Sequence, residues 1–251
     1  MFRKQPRRIN IYLRKMTKTF LPALLIVAVC THAQQSSEDS LLTSGFTSYV
    51  NNIYNAQREN ELPIYNGTFH YPYPSSIEGI AYFDSNDWQR GTVVYDGILY
   101  TDILMKYNMV ADQLVVTNSE TGSAFISLFN PRVKEFAFSG FKFILMDTVN
   151  TSLPGGFYQV LAEGKVTLLA KKTKTIWEQI VDNAIYRKFD PHTKYYILKD
   201  GEYHYVKNKN TLLALLKEKR SAVQGFLSQK SLNYRRETEK TIVSAVEFYN
   251  Q

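Results

Sequence analysis

The feature that most constrains the fold is a series of short apolar runs, separated by turn residues, over residues 64–174. Runs such as GTVVY (residues 91–95) and ILYTDILMKY (residues 98–107) are rich in β-branched and aromatic residues. The Asp96-Gly97 pair between them suits a two-residue hairpin turn. Turn signals recur about every eight to twelve residues, which is typical of antiparallel sheets. We therefore predict an antiparallel β-rich region, a sandwich or a curved meander, over residues 64–174.

Patterns with helical spacing lie on both sides of this region. Residues 34–40 are polar, and apolar residues then recur every three or four positions over residues 42–53. This spacing predicts an amphipathic helix within the segment 34–63. Near the C-terminus, one apolar stripe covers residues 212–227 and another covers residues 242–249, so we expect two short helices there.

A second hairpin is expected just before these helices. KYYIL and EYHYV are joined through Lys199-Asp200-Gly201, where Asp-Gly suits the positive φ angles of a tight turn. The preceding stretch, which contains Ile176 and Ile180, has no clear period, and we interpret it as a connector. The predicted fold class is α+β, with an N-terminal helix, the antiparallel β-rich region, and a C-terminal part over residues 175–251 that holds the connector, the hairpin and the two helices.

Residues 1–33 have the three parts of an export signal. They contain seven Lys or Arg residues and no acid, then the apolar run FLPALLIVAVC, then small residues ending at Ala33. We expect cleavage between Ala33 and Gln34. The apolar run is about half the length of a membrane span, so we expect no transmembrane segment in the mature chain. Three alternatives stay open, namely an uncleaved anchor, a start at Met16 and lipid attachment at Cys30.

Charge and cysteine content limit the function. The chain has 30 Lys+Arg against 23 Asp+Glu, a formal charge of +7. All of this excess lies in residues 1–33, so cleavage leaves a neutral chain and the basic composition predicts no nucleic-acid partner. Cys30 is the only cysteine and would be lost with the signal. The mature protein would then have no disulfide, thiol nucleophile or cysteine metal site.

The sequence predicts no catalytic, metal-binding or cofactor-binding residue. The three histidines of the mature chain, His70, His192 and His204, do not have the spacing of metal ligands. Glu202 and His204 share a strand face, which we interpret as a solvated hairpin face. Residues 84–87 (DSND) are interpreted as a polar turn rather than a calcium loop.

Aromatic and basic side chains are the remaining candidates for contacts. Aromatic residues are dense in the first part of the β-rich region, namely Tyr65, Phe69, Tyr71, Tyr73, Tyr82 and Trp88. Tyr71, Tyr73 and Trp88 are the candidate contacts to a ligand or partner, because exposed aromatic faces stack on sugars or anchor interfaces. Packing in the core or at a sheet edge is the alternative explanation for these rings. Lys171, Lys172 and Lys174 are interpreted as a solvated strand edge, with phosphate or lipid head-group contact as the alternative.

A resemblance is carried by the order of several phrases. These are GTVVYDGILYTDILMKYNMVADQLVV, GFYQVLAEGKVTLLAKK, KYYILKDGEYHYVK, LLALLKEKRSAVQGFL and VEFYN, spread over residues 90–251. In this order they resemble an uncharacterised family of exported proteins common in Bacteroidetes. The resemblance implies a cell-envelope location and a β-rich region followed by short helices. It implies no activity, cofactor or site residue.

These observations together predict an exported protein of the periplasm or the outer-membrane face. We expect a non-enzymatic binding or structural module whose partner is an envelope protein, a glycan or a lipid. One alternative is a carrier that encloses a lipid or other apolar ligand in its curved sheet. The other is a glycan hydrolase, which needs two carboxylates facing each other across a cleft.

Overall fold

The computed structural model describes residues 62–118, 124–147 and 153–251. All of these residues belong to one compact unit, Ser44–Gln251. The predicted signal peptide with its cleavage site and the predicted N-terminal helix lie outside the described residues.

Twelve strands form one sheet within the described residues. They are β1 (Thr68–Phe69), β2 (Ile77–Glu78), β3 (Gln89–Tyr95), β4 (Ile98–Asn108), β5 (Gln113–Thr117), β6 (Ile126–Ser127), β7 (Val133–Phe138), β8 (Phe141–Met146), β9 (Gly156–Ala162), β10 (Thr167–Val181), β11 (Ala184–Lys199) and β12 (Glu202–Tyr205). The order across the sheet is β1-β6-β5-β4-β3-β7-β8-β9-β10-β11-β12. The β-rich prediction is confirmed. The sheet is mixed, however, because β2 pairs in parallel with β11.

Two of the predicted hairpins are present with the expected turn chemistry. Asp96 and Gly97 connect β3 to β4 with φ angles of 51° and 78°. Asp200 and Gly201 connect β11 to β12 with φ angles of 52° and 82°. Positive φ at both central residues is the requirement of a type I′ turn, and the two Asp-Gly predictions are confirmed.

Strands β10 and β11 form a long hairpin that includes the segment interpreted as a connector. They pair continuously from Thr167–Leu198 to Val181–Ala184. The end nearest the turn is exposed, and we call residues 175–190 the arm. Ile176 and Ile180 lie on one face of the arm and Trp177 on the other. With apolar residues on both faces, the arm has no hydrophobic alternation that would have predicted a strand.

Three helices follow the sheet: α1 (Lys209–Leu215), α2 (Arg220–Gln229) and α3 (Thr238–Asn250). The prediction of two helices was wrong because a 3₁₀ turn at Lys217–Lys219 interrupts the first apolar stripe. Lys199 on β11 donates to the Leu215 carbonyl at 2.7 Å and to the Glu218 carboxylate at 2.8 Å. These tertiary contacts replace helical hydrogen bonds at the break. Among the described residues, no helix combines the length and apolar character needed to cross a membrane.

The sheet curls back on itself around a core of aromatic rings. Strands β4 and β10 are far apart in the sheet order, yet the Lys174 N–H donates to the Met109 carbonyl at 3.0 Å. Inside the curl, Tyr107, Phe136 and Phe143 are almost fully buried, with ring centroids 4.8–5.6 Å apart. A second core joins the three helices to β10 and β11. The aromatic core fills the inner face of the curled sheet. The outer face of the sheet points away from that core and can line a binding site.

Candidate functional site

The candidate site is a cavity of about 450 Å³ on the outer face of β4, which we call the Trp88 cavity. Lys106 lies between Met105 and Tyr107, both of which face the aromatic core, so strand alternation turns Lys106 to the opposite side. Five aromatic side chains from distant parts of the chain line the cavity: Tyr73, Tyr82, Trp88, Phe125 and Phe189. The volume lies within the range of small-molecule sites.

One wall of the cavity, residues 72–82, contains little regular strand but is held by hydrogen bonds. Lys174 Nζ donates to the carbonyls of Ile80 at 2.7 Å and Tyr82 at 2.8 Å. Ile77 and Glu78 form the parallel pair with β11. Burial lowers the pKa of the Lys174 ammonium, so these two carbonyls compensate a charge that is partly removed from water. The wall is therefore anchored to β10 and to β11.

The three neighbouring lysines of β10 correct the interpretation of a solvated edge. Lys171 pairs with Asp112 and has only 11% of its side chain exposed, and Lys172 pairs with Glu239 with 15% exposed. Lys174 holds the cavity wall. Each side chain is thus engaged with the protein rather than with solvent.

Lys106 gives the cavity its charge. Its ammonium lies 4.4 Å from the ring centroid of Trp88 and 5.2 Å from that of Tyr82, which are cation–π distances. Burial lowers the pKa of Lys106, and the charge of Asp87 acts in the opposite direction. Within the described part of the chain, Lys106 forms no ion pair. The site therefore combines aromatic walls with a cation that pairs with no carboxylate of the described residues.

A buried histidine fixes the orientation of Tyr82. His70 is 7% exposed, with Nε2 2.8 Å from the Tyr82 hydroxyl and Nδ1 3.3 Å from Ser127 Oγ. A neutral imidazole satisfies both contacts, since one ring nitrogen donates and the other accepts. Burial lowers the pKa of His70, and the charge of Lys106 lowers it further. Both effects favour the neutral imidazole, and the hydrogen bond with His70 positions the Tyr82 hydroxyl.

Two of the three aromatic residues selected from sequence lie in the cavity. Tyr73 packs edge-on against Phe189 at 5.3 Å, and Trp88 packs against Phe125 at 5.0 Å. Tyr71 is 78% exposed, contacts the ring of Phe69 and does not line the cavity.

Sequence reasoning missed Phe125, Phe189 and Lys106. Phe125 and Phe189 reach the cavity through sheet pairings that have no local signature. Lys106 did leave one signal in the sequence, since it is a charged residue that directly follows the apolar run Ile103, Leu104 and Met105 in β4.

Two other polar clusters among the described residues lack the geometry of a catalytic relay. At the base of the arm, Thr175 Oγ1 lies 3.1 Å from His192 Nε2, and Asp190 Oδ2 lies 3.4 Å from the same nitrogen. A nucleophile relay uses both ring nitrogens, one for the nucleophile and one for the carboxylate. Glu202 and His204 are 4.0 Å apart, and the Glu202 side chain is 80% exposed. The described residues contain no group of three potential metal ligands.

The chain gives no match to a protein-family model, to a curated protein or to a solved structure. The fold and the cavity therefore give only a general structural class. The protein is β-rich, with a curled sheet, an exposed two-stranded arm, and an aromatic cavity lined in part by the Lys106 side chain.

Proposed function

We propose that this protein is a non-enzymatic binding module of the cell envelope and that the Trp88 cavity holds a small ligand with a flat face, such as a sugar or aromatic ring. One observation carries the proposal. Rings from three distant segments, those of Tyr73, Trp88 and Phe189, converge around one open cavity of about 450 Å³. Rings that serve only as core close on one another and leave no such space.

The walls of the cavity are held independently of any ligand. Lys174 anchors the wall at Ile80 and Tyr82, and His70 fixes the Tyr82 ring. A site whose side chains are already ordered loses less conformational entropy when a ligand binds. This favours a binding role for the cavity over a gap between loosely packed loops.

The filled interior of the curl favours a surface site over an enclosed lipid. Among the described residues, Phe136, Phe143 and Phe157 fill the space inside the sheet and are each at most 1% exposed. A carrier needs an empty apolar chamber at this position. The envelope location rests on the export pattern of residues 1–33, and fractionation by osmotic shock tests it, because we expect release without those residues.

Tryptophan fluorescence tests the binding role directly, because the chain has only two tryptophans. Trp177→Phe removes the one on the arm and leaves Trp88 as the sole reporter. We expect a saturable change in its emission with at least one probe among N-acetylglucosamine, glucuronate and 2-naphthoate.

Two variants provide the controls. Trp88→Phe leaves the reporter on the arm and should abolish the response. Ser75 is exposed and lines the cavity, so Ser75→Tyr should block the site without disturbing the core. Absence of any response at Trp88, or an equal response at Trp177, would contradict the proposal.

A further inference from the structure

We infer that the ligand of the Trp88 cavity is a ring-bearing carboxylate, whose ring stacks in the aromatic cavity while its carboxylate pairs with Lys106 Nζ. This inference rests on the proposed function and adds the charge and chemical class of the ligand.

A comparison among the lysines supports the inference. The structure describes seven half-buried lysines, and six of them place Nζ against a protein oxygen. These six are Lys142, Lys171, Lys172, Lys174, Lys199 and Lys219. Lys106 is the exception, because among the described residues its ammonium contacts the faces of Trp88 and Tyr82 and no protein oxygen. Since a partly desolvated cation is costly without a partner, the cavity has an anion-binding position that the described protein groups do not fill.

The number of donors favours a carboxylate over a phosphate. Phosphate sites combine several cations with backbone N–H groups, because the ligand carries up to two charges and several acceptor oxygens. Lys106 is the one Lys or Arg among the lining residues described for this cavity. A single ammonium matches a single negative charge. The Trp88 and Tyr82 rings beside the ammonium favour a flat ring attached directly to the acid.

Asp87 is the protein carboxylate that could pair with Lys106 in place of a ligand. Its charge acts on Lys106, but the carboxylate accepts from Ser85 Oγ at 2.8 Å instead of pairing with the lysine. It also repels an incoming anion. Removing the charge of Asp87 should therefore strengthen binding of a carboxylate, whereas removing that of Lys106 should weaken it.

Calorimetric titration with 2-naphthoate and with its neutral isostere 2-naphthamide tests the inference. We expect the acid to bind at least about tenfold more tightly, the equivalent of one charge-assisted hydrogen bond. Lys106→Met should abolish this preference, because it should weaken binding of the acid far more than binding of the amide, and Lys106→Arg should retain it. Asp87→Asn should increase the preference. Thermal melts of each variant establish that it is folded.

The outcomes separate the inference from the function on which it rests. Equal affinity for acid and amide, both blocked by Ser75→Tyr, would overturn the carboxylate inference and leave the binding function standing. Tighter binding of 1-naphthyl phosphate than of 2-naphthoate would overturn the assignment to carboxylates. Failure of these probes together with the two sugars would overturn both proposals.

Discussion

Lys171 on β10 donates to the carboxylate of Asp112, a residue 59 positions earlier in the turn between β4 and β5. The same carboxylate accepts from the Tyr107 hydroxyl at 2.6 Å and from the Phe157 N–H at 3.3 Å. One side chain thereby joins β4, β9 and β10. These contacts, together with the Lys174–Met109 hydrogen bond, close the curl of the sheet.

Asp112→Ala should destabilise the protein by about 3 kcal/mol, because it leaves a mostly buried ammonium and the Tyr107 hydroxyl without their acceptor. The free energy of unfolding in urea measures the loss. Glu178→Ala is the matched control, because it breaks the Arg187–Glu178 pair, whose side chains are 44% and 48% exposed. That variant should lose about 1 kcal/mol or less. Equal losses in the two variants would show that Asp112 does not hold the curl.

Gly156→Ala should lower the free energy of unfolding more than Gly140→Ala does. Gly156 has a φ of +112°, and a Cβ there would overlap the Asp112 carboxylate and the Lys171 ammonium. Gly140 has a φ of +79° with open space around it, so its cost is the backbone strain alone, about 1–2 kcal/mol. We expect the loss at Gly156 to exceed this by about 2 kcal/mol or more, as urea midpoints would report. Similar urea midpoints for the two variants would contradict the inference that a side chain at position 156 overlaps Asp112 and Lys171.

Two isoleucines of β11 should respond differently to truncation. Ile185 on the arm is 55% exposed and Ile197 is fully buried beneath the helices. Ile185→Ala should cost about 0.5 kcal/mol or less, whereas Ile197→Ala should cost about 2–5 kcal/mol. Thermal and urea unfolding measure both. A large loss at Ile185 would show that the arm is packed against part of the protein in solution.

Stability should fall on mild acidification because of His70. Its pKa is lower in the folded state than its ordinary value of 6.5, so the unfolded chain binds the proton more readily. Below about pH 6.5, the chain therefore takes up a proton at His70 when it unfolds. The free energy of unfolding then decreases as the pH falls, until the pH lies below the pKa of His70 in the folded state.

His70→Gln should flatten this slope between about pH 7 and pH 5, because it removes the group whose pKa is lowered by folding. Urea titrations at a series of pH values provide the comparison. An unchanged slope in the His70 variant would assign the acid sensitivity to another group.

The local parts of the fold could be predicted from sequence, and the long-range parts could not. The turns at Asp96-Gly97 and Asp200-Gly201 depend on φ angles that those residues adopt readily, so their signature is contained in two positions. The parallel pairing of β2 with β11 involves two residues on each side and leaves no period in the sequence. The helix break after Leu216 depends on Lys199, which lies on another element.

The same division applies to the site. The aromatic composition drew attention to Tyr73 and Trp88, but composition could not separate them from Tyr71, which lies outside the cavity. The position of Phe189 depends on where β11 passes the wall at residues 72–82. The importance of Lys106 emerges only from the structure, because sequence alone does not show that it lacks an ion pair with the described residues and lies against Trp88 and Tyr82.

Phe189 belongs both to the base of the arm and to the wall of the Trp88 cavity. From this residue to the turn at Asp182-Asn183, the two-stranded ribbon reaches about 20 Å. A rotation of the ribbon about its root would move the tip furthest and would also displace the Phe189 ring that packs against Tyr73. Phe189 is therefore the residue through which a load on the arm would reach the cavity.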